Sequence, residues 1–241
     1  MESLPMPYFK YIPNGISHNR VRNPVTPSRM TVRGQFPSKK MQRMIAWESQ
    51  LEKRACYLFE FSSNIISFRE QPEQLCIPYI DKIKRYTPDF EVILNTGEVC
   101  YYEIKPLKKL CKLKDYFNYV HTFLLQRGIR FLILTEIELI NPTREYNLMV
   151  FRKYQSLLLD QTELQTIERI YIQNNTSELS FEYLKNNGID IKTIYSCIAS
   201  HYLHCNFSCE INSNTLITLL NITEEKHYET EFFQYRSAPH F

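Results

Sequence analysis

The stretch that most narrows the possible folds is Tyr86 to Pro106, YTPDFEVILNTGEVCYYEIKP. Phe90–Leu94 and Val99–Ile104 are rich in β-branched and aromatic residues and flank a polar turn with one glycine, the pattern of a β-hairpin. A three-residue loop at Asn95-Thr96-Gly97 puts Gly97 in the left-handed conformation that such loops require. Leu94 then faces Glu98, and counting outward sets Asp89 opposite Glu103. Side chains alternate along a strand, so Glu103 and Lys105 share one face while Ile104 points to the other. Two carboxylates and one ammonium are therefore expected together at the end of a sheet.

Such a set suits hydrolytic metal chemistry. Carboxylate oxygens, helped by a backbone carbonyl such as that of Ile104, match a hard cation such as Mg²⁺ that keeps some of its waters. The ion lowers the pKa of a bound water and neutralises charge building on a phosphate. Lys105 is placed to orient that water or to stabilise the developing charge. The spacing P-D-x13-E-x-K resembles the PD-(D/E)xK nuclease motif, at Pro88-Asp89 and Glu103-Ile104-Lys105. The motif alone is loose, and a surface hairpin with a solvated Glu and Lys fits it equally well.

At 241 residues, 44% of them hydrophobic and 14% aromatic, the chain can build one large domain or a core domain plus a small one. No apolar run approaches the ~20 residues that span a bilayer. The start, MESLPMPYFK, lacks the charged-then-apolar layout of a signal sequence. A soluble, cytoplasmic protein without membrane contact is expected. Seven scattered cysteines with no Cys-x-x-Cys pair read as reduced thiols. His201, His204, Cys205 and Cys209 have zinc-binding side chains, but their mixed order and helical spacing read as a structural accident.

The net charge of +3 is unevenly spread. Residues 1–43 hold Lys10, Arg20, Arg22, Arg29, Arg33, Lys39, Lys40 and Arg43 against Glu2 alone. Such an arm suits contact with a phosphate backbone, the alternative being a solvated tail, and the hairpin downstream favours the first. Arg33, Lys39, Lys40 and Arg43 are its candidate DNA contacts.

Prolines at 5, 7, 13, 24 and 27 exclude long helices from residues 1–36, which read as an extended arm. From Ser38, a plausible N-cap, Met41, Met44, Ile45, Leu51, Ala55, Leu58 and Phe59 recur at helical intervals, predicting a helix through Phe59. Glu48 and Glu52 lie on or beside that stripe, either reaching solvent or aimed into a site, and taken alone they read as reaching solvent. Residues 64–71 and 74–80 read as strands and Asp81–Arg85 as a charged turn. Leu107–Arg127 reads as a helix stopped by Gly128, and Ile129–Thr135 as a buried parallel strand. Lys108, Lys109, Lys112 and Lys114 form either the solvated face of that helix or phosphate contacts beside the site.

Residues 141–158 read as a mostly helical connector. Helices are predicted near 161–173, 178–187 and 190–204, then strands at 206–211 and 215–220. Three helices and a hairpin suggest a winged-helix-like module. Its third helix has Lys192 as its only fixed cation, so protein contact is at least as well supported as DNA contact. The expected division is a basic arm at 1–36, an α/β catalytic domain with connector at 37–158, and the small C-terminal domain at 159–241. Residues 221–241 suggest no clear fold.

Several motifs, taken in order, resemble TnsA, the endonuclease subunit of heteromeric transposases, including those of CRISPR-associated transposons. They are Phe36-Pro37-Ser38-Lys39-Lys40, Trp47-Glu48-Ser49-Gln50-Leu51-Glu52, Arg69-Glu70-Gln71-Pro72, Tyr86-Thr87-Pro88-Asp89-Phe90 and Glu103-Ile104-Lys105-Pro106. The resemblance spans roughly residues 30–140. It implies a restriction-endonuclease-like PD-(D/E)xK core, a mixed sheet flanked by helices, followed by a winged-helix domain that contacts the AAA+ regulator TnsC. Glu52, Asp89 and Glu103 would be catalytic metal ligands with the Ile104 carbonyl, and Lys105 the remaining catalytic group. Some members of the family carry Gln at the position of Glu103. Mg²⁺, with Mn²⁺ able to substitute, is the implied cofactor. The implied partners are transposon-end DNA, a TnsB-type transposase and a TnsC-type regulator, in a bacterial, nucleoid-associated setting. The activity implied is cleavage of the non-transferred strand at the 5′ transposon ends. A stand-alone restriction or repair nuclease of the same fold, and a non-catalytic DNA-binding assembly subunit, are the alternatives.

Overall fold

The computed structural model describes residues 32–220. They divide into two compact units at Ile140 and Asn141. Most of the expected basic arm, residues 1–31, lies outside the described residues, as do residues 221–241.

The first unit begins with antiparallel strands β1 (Gly34–Ser38) and β2 (Arg43–Trp47), where the sequence predicts a helix. Phe36 and Ser38 are buried in β1, and Ile45 and Trp47 in β2. That is alternation by two, over runs too short to outweigh the helical spacing of Met41, Met44 and Ile45. The helix itself, α1 (Gln50–Phe61), starts at Ser49, whose hydroxyl accepts the Glu52 N–H. Ser38 is no cap. Its hydroxyl donates to Glu60 Oε2 at 2.5 Å, while the Lys39 and Lys40 N–H groups donate to Glu60 Oε1.

Gly34 sits across the strand pair from Trp47, and a Cβ there would lie 2.2 Å from Trp47 Cζ2. Gly34→Ala must displace a buried indole, so a loss of about 1–3 kcal/mol is expected in urea melts. An unchanged midpoint would contradict this close fit.

β3 (Ile65–Glu70) leads to an antiparallel ribbon of β4 (Leu75–Tyr79) and β5 (Lys82–Tyr86), then to the predicted hairpin of β6 (Phe90–Leu94) and β7 (Val99–Ile104). The segment 82–86 is thus a strand rather than a charged turn. Next come α2 (Leu107–Leu125), β8 (Arg130–Leu134) and the short α3 (Glu136–Leu139). The main sheet runs β3-β6-β7-β8, antiparallel except for the β7/β8 pair. This is a mixed sheet with a βαβ crossover through α2, which ends before Gly128 at φ +71. On one face Phe59 of α1 packs its ring against Phe68, Phe90 and Tyr102. On the other, Tyr101 and Phe131 join Leu110, Phe117, Val120 and Leu124 of α2, with Ile77 and Tyr86 of the ribbon. Helix, sheet and helix make three layers around two aromatic cores.

The second unit comprises α4 (Pro142–Tyr154), α5 (Gln161–Gln173), β9 (Glu178–Ser180), α6 (Phe181–Asn186), α7 (Ile191–Ala199), β10 (Leu203–His204) and β11 (Leu216–Leu219). The expected connector is instead part of this unit. Phe151 of α4 packs on Tyr195 and Phe207. The Asn147 amide donates to the carbonyls of Phe207 and Cys209, which ties residues 206–211 down as a loop where a strand is predicted. The three short strands form an antiparallel sheet in the order β10-β11-β9.

Candidate active site

The β6–β7 register pairs Phe90 with Tyr102 and Ile93 with Val99, so one step outward sets Asp89 against Glu103. Gly97, at φ +83, closes the turn as the loop chemistry requires. Lys105 Nζ lies 2.6 Å from Glu103 Oε1 and 3.5 Å from Asp89 Oδ2. The Ile104 N–H donates to Asp89 Oδ2 at 2.7 Å, and Tyr86 Oη donates to Glu103 Oε2 at 2.7 Å. The Gln71 N–H holds the Asp89 carbonyl at 2.9 Å, from a backbone at φ +45. Asp89, Glu103 and Lys105 thus meet as the sequence predicts, fixed by β7, β5 and the end of β3.

Glu52 enters from the first turn of α1. Its carboxylate accepts from Ser49 Oγ at 2.9 Å and from the Glu48 N–H at 2.7 Å. It is near enough for the Asp89 charge to act on it. Among the described residues, however, no three His, Cys, Asp or Glu side chains lie close enough together to share a metal ion. Glu52 is held by its cap and Glu103 by Tyr86 and Lys105, so joint ligation requires these side chains to exchange partners. The chemistry of the donors nevertheless fits a hard divalent cation: carboxylate oxygens, crowded in a partly dry site, beside a buried Gln71 Oε1 without a hydrogen-bond partner.

The electrostatics record that crowding. Burial and then the Asp89 charge push Glu52 up to about 7 and Glu103 up to about 8. Asp89 is also raised, by burial, against the pull of Lys105. Burial works to lower Lys105, but Asp89 and Glu103 prevail and raise it. The ammonium therefore keeps its proton at neutral pH and serves as a fixed cation, not a base.

A stability profile follows. Glu52 and Glu103 hold protons more tightly folded than unfolded, above their ordinary 4.5. Their contribution is complete below about pH 4.5 and is lost as pH climbs through about 7 and 8. Lys105 is charged in both states across that window and adds no slope. In EDTA, Tm should fall between about pH 5 and 7, above which Lys40, lowered to about 7 by burial, adds the opposite slope, and Mg²⁺ should oppose the fall. A Tm that is flat or rising in EDTA, or that falls just as far with Mg²⁺ present, would contradict this picture.

The basic candidates separate. Lys39, Lys108 and Lys109 are exposed and Arg33 is half-buried. Lys40 and Arg43 have partners within the protein. Lys40 Nζ donates to the carbonyls of Phe59, Ser62 and Ile65 at 2.7–2.8 Å, so all three of its protons are used around the end of α1. Arg43 makes two bonds to the buried Glu70 carboxylate, at 3.1 and 2.7 Å.

Two further residues adjoin the site, Glu48, which the sequence leaves between solvent and a site, and Gln71, to which it gives no role. Glu48 accepts the Gln71 amide at 3.1 Å, and its charge acts on both Glu52 and Asp89. A Glu one turn before Glu52 was the available signal, but nothing local shows that Gln71 meets it.

Residues 62–136 match the family described as TnsA-like endonuclease N terminal. The matched span runs from the end of α1 to the start of α3 and contains Asp89, Glu103 and Lys105, while Glu52 precedes it. No curated protein matches the chain. The mixed sheet and the Asp89, Glu103 and Lys105 cluster all fall inside the matched span, so it is this segment that is similar to the TnsA-like endonuclease N-terminal family.

Proposed function

We propose that this chain is the metal-dependent DNA endonuclease subunit of a cut-and-paste transposase, cleaving the non-transferred strand at the 5′ transposon ends. The observation that carries the reading is the Lys105 ammonium set between Asp89 and Glu103, within a TnsA-like segment. Glu52, Asp89, Glu103 and the Ile104 carbonyl would hold Mg²⁺ (or Mn²⁺), which when bound supplies an acidified water and charge neutralisation at the phosphate. Lys105 stabilises charge on the phosphate as a water oxygen bonds to phosphorus and the bond to the 3′ oxygen breaks, leaving 3′-hydroxyl and 5′-phosphate. Tyr86 holds Glu103 in place by its hydroxyl, and Gln71 steadies the Asp89 backbone.

Lys108 and Lys109 support the contact with DNA. They stand exposed in the first turn of α2, where the helix dipole disfavours cations, and so suit a phosphate partner. In the second unit, the order from α5 onward of helix, strand, two helices, two strands, with a three-stranded sheet, favours a winged-helix-like module. Its α7 carries Lys192 as its sole Lys or Arg, which favours a protein partner such as a TnsC-type regulator over a DNA groove.

The test is nicking of transposon-end DNA by the full chain with Mg²⁺, with and without TnsB-type and TnsC-type partners. Cleavage confined to 5′ ends and dependent on partners is expected. Indiscriminate cutting by the chain alone would instead make it a stand-alone nuclease.

A further inference from the structure

The β4–β5 ribbon is more than a connection. Its inner face is docked, with Ile77 and Tyr86 buried in the core under α2 and Tyr79 packed edge-on against Tyr116 and Tyr119. Its outer face is bare. Cys76 pairs with Arg85 and Pro78 with Ile83 across that face, and all four are exposed. Ile80 at the tip is 74% exposed and Ile83 73% exposed.

The turn itself is costly. Ile80 and Asp81 both take positive φ, 42° and 54°. An isoleucine there is sterically disfavoured, and Asn-Gly makes the same two-residue turn without strain. A chain that needed only to reverse direction has no reason to place an exposed, β-branched residue at this point, whereas strain of this kind gathers at functional contacts. Around the tip the charge is mainly positive: Lys82, Lys84 and Arg85 against Asp81. Lys84 Nζ is held 4.3 and 4.8 Å from the rings of Tyr79 and Tyr116. The helix beneath, α2, exposes Lys108, Lys109 and Lys112.

We propose that the β4–β5 ribbon is a DNA-reading arm that lies in a groove of the duplex beside the cleaved phosphate. Lys82 at the tip and Arg85 on the outer face meet phosphates, and Ile80 and Ile83 enter the groove as apolar wedges. The proposal rests on the nuclease reading, because β5 ends at Tyr86, which bonds Glu103, three residues before Asp89. A strand of this length spans roughly 17 Å. The tip therefore reaches about half a turn of B-DNA, whose repeat is roughly 34 Å, from the site.

Two full-chain variants separate the parts of this arm, read by fluorescence anisotropy on a labelled transposon-end duplex in EDTA, where no cutting occurs. Ile80→Asn with Asp81→Gly relaxes the turn and removes the wedge. It should keep or raise Tm, lower affinity on the order of 10-fold, and leave the salt dependence unchanged. Lys82→Gln with Arg85→Gln should lower affinity and reduce the slope of log K against log salt by about 2. Asp89→Ala serves as the control for the nuclease reading: it should bind normally in EDTA and, assayed separately with Mg²⁺, not cut. If Asp89→Ala still cuts, the nuclease reading fails whatever the arm does. Failure of the unaltered chain to bind the duplex, affinities within twofold of it for both variants, or loss of binding to the TnsB-type partner alone would each overturn the arm.

Discussion

Asp89→Ala should reduce strand cleavage on the order of 10³-fold or more while leaving the protein folded. The Asp89 carboxylate accepts the Ile104 N–H and faces the Lys105 ammonium, so its loss removes both a proposed metal ligand and the counter-charge that fixes Lys105. Its side chain is about one-fifth exposed, so water can reach the Ile104 N–H left behind and the structural cost stays modest. Lys105→Ala should be as inactive for a different reason. Asp89 and Glu103 would then crowd each other without a cation, and their carboxyls should hold protons still more tightly. Added Mg²⁺ should bind Lys105→Ala but not restore cleavage. Nicking at the unaltered rate by either variant, with circular dichroism showing a folded chain, would remove the assignment of these residues.

The second large effect lies outside the chemistry. Arg43→Ala should cost about 3 kcal/mol of stability, because it removes both guanidinium bonds from the buried Glu70 carboxylate. The low end of the range for buried pairs applies because Arg43 is 29% exposed, so water can enter the gap. Burial alone would raise Glu70, yet the bonds from Arg43 hold it below its usual range. A Tm lower by on the order of 10 °C should follow for a unit of this size. Replacing both partners, Arg43→Met with Glu70→Leu, should recover most of the loss, since the pair fills space that apolar groups can occupy. If Arg43→Ala melts normally and loses only DNA affinity, the residue is a phosphate contact after all.

Arg43 also shows where sequence reading stops. A lysine or arginine in a basic stretch looks available to phosphate until its partner is known, and these partners are distant in sequence. Glu70 lies 27 residues from Arg43, and the carbonyls that hold Lys40 lie 19 to 25 residues away. The β6–β7 hairpin was legible because its register follows from one turn and from alternation within a few residues. The same local logic places Asp89, Glu103 and Lys105 together, and the apolar run of β8 reveals the crossover. The β1–β2 pair was hidden by methionines spaced as on a helix. The ribbon strand at 82–86 was hidden by its lysines, although K-I-K-R-Y alternates: Lys84 and Tyr86 share the inner side, where Tyr79 and Tyr116 hold the ammonium. Glu48 and Gln71 illustrate a further limit. Their contact depends on Gln71 adopting a left-handed backbone at the end of β3, which no residue pattern announces.

The central claim is that Asp89 and Glu103, with Lys105 between them, form a metal-dependent cutting centre. A crystal of the full chain soaked in Mn²⁺, with an anomalous difference map, tests it most directly. A peak roughly 2.0–2.3 Å from an Asp89 carboxylate oxygen, with Glu103 or Glu52 completing the set, is the predicted result. Full Mn²⁺ occupancy elsewhere, with Asp89 still bonded only to Lys105 and the Ile104 N–H, would contradict it.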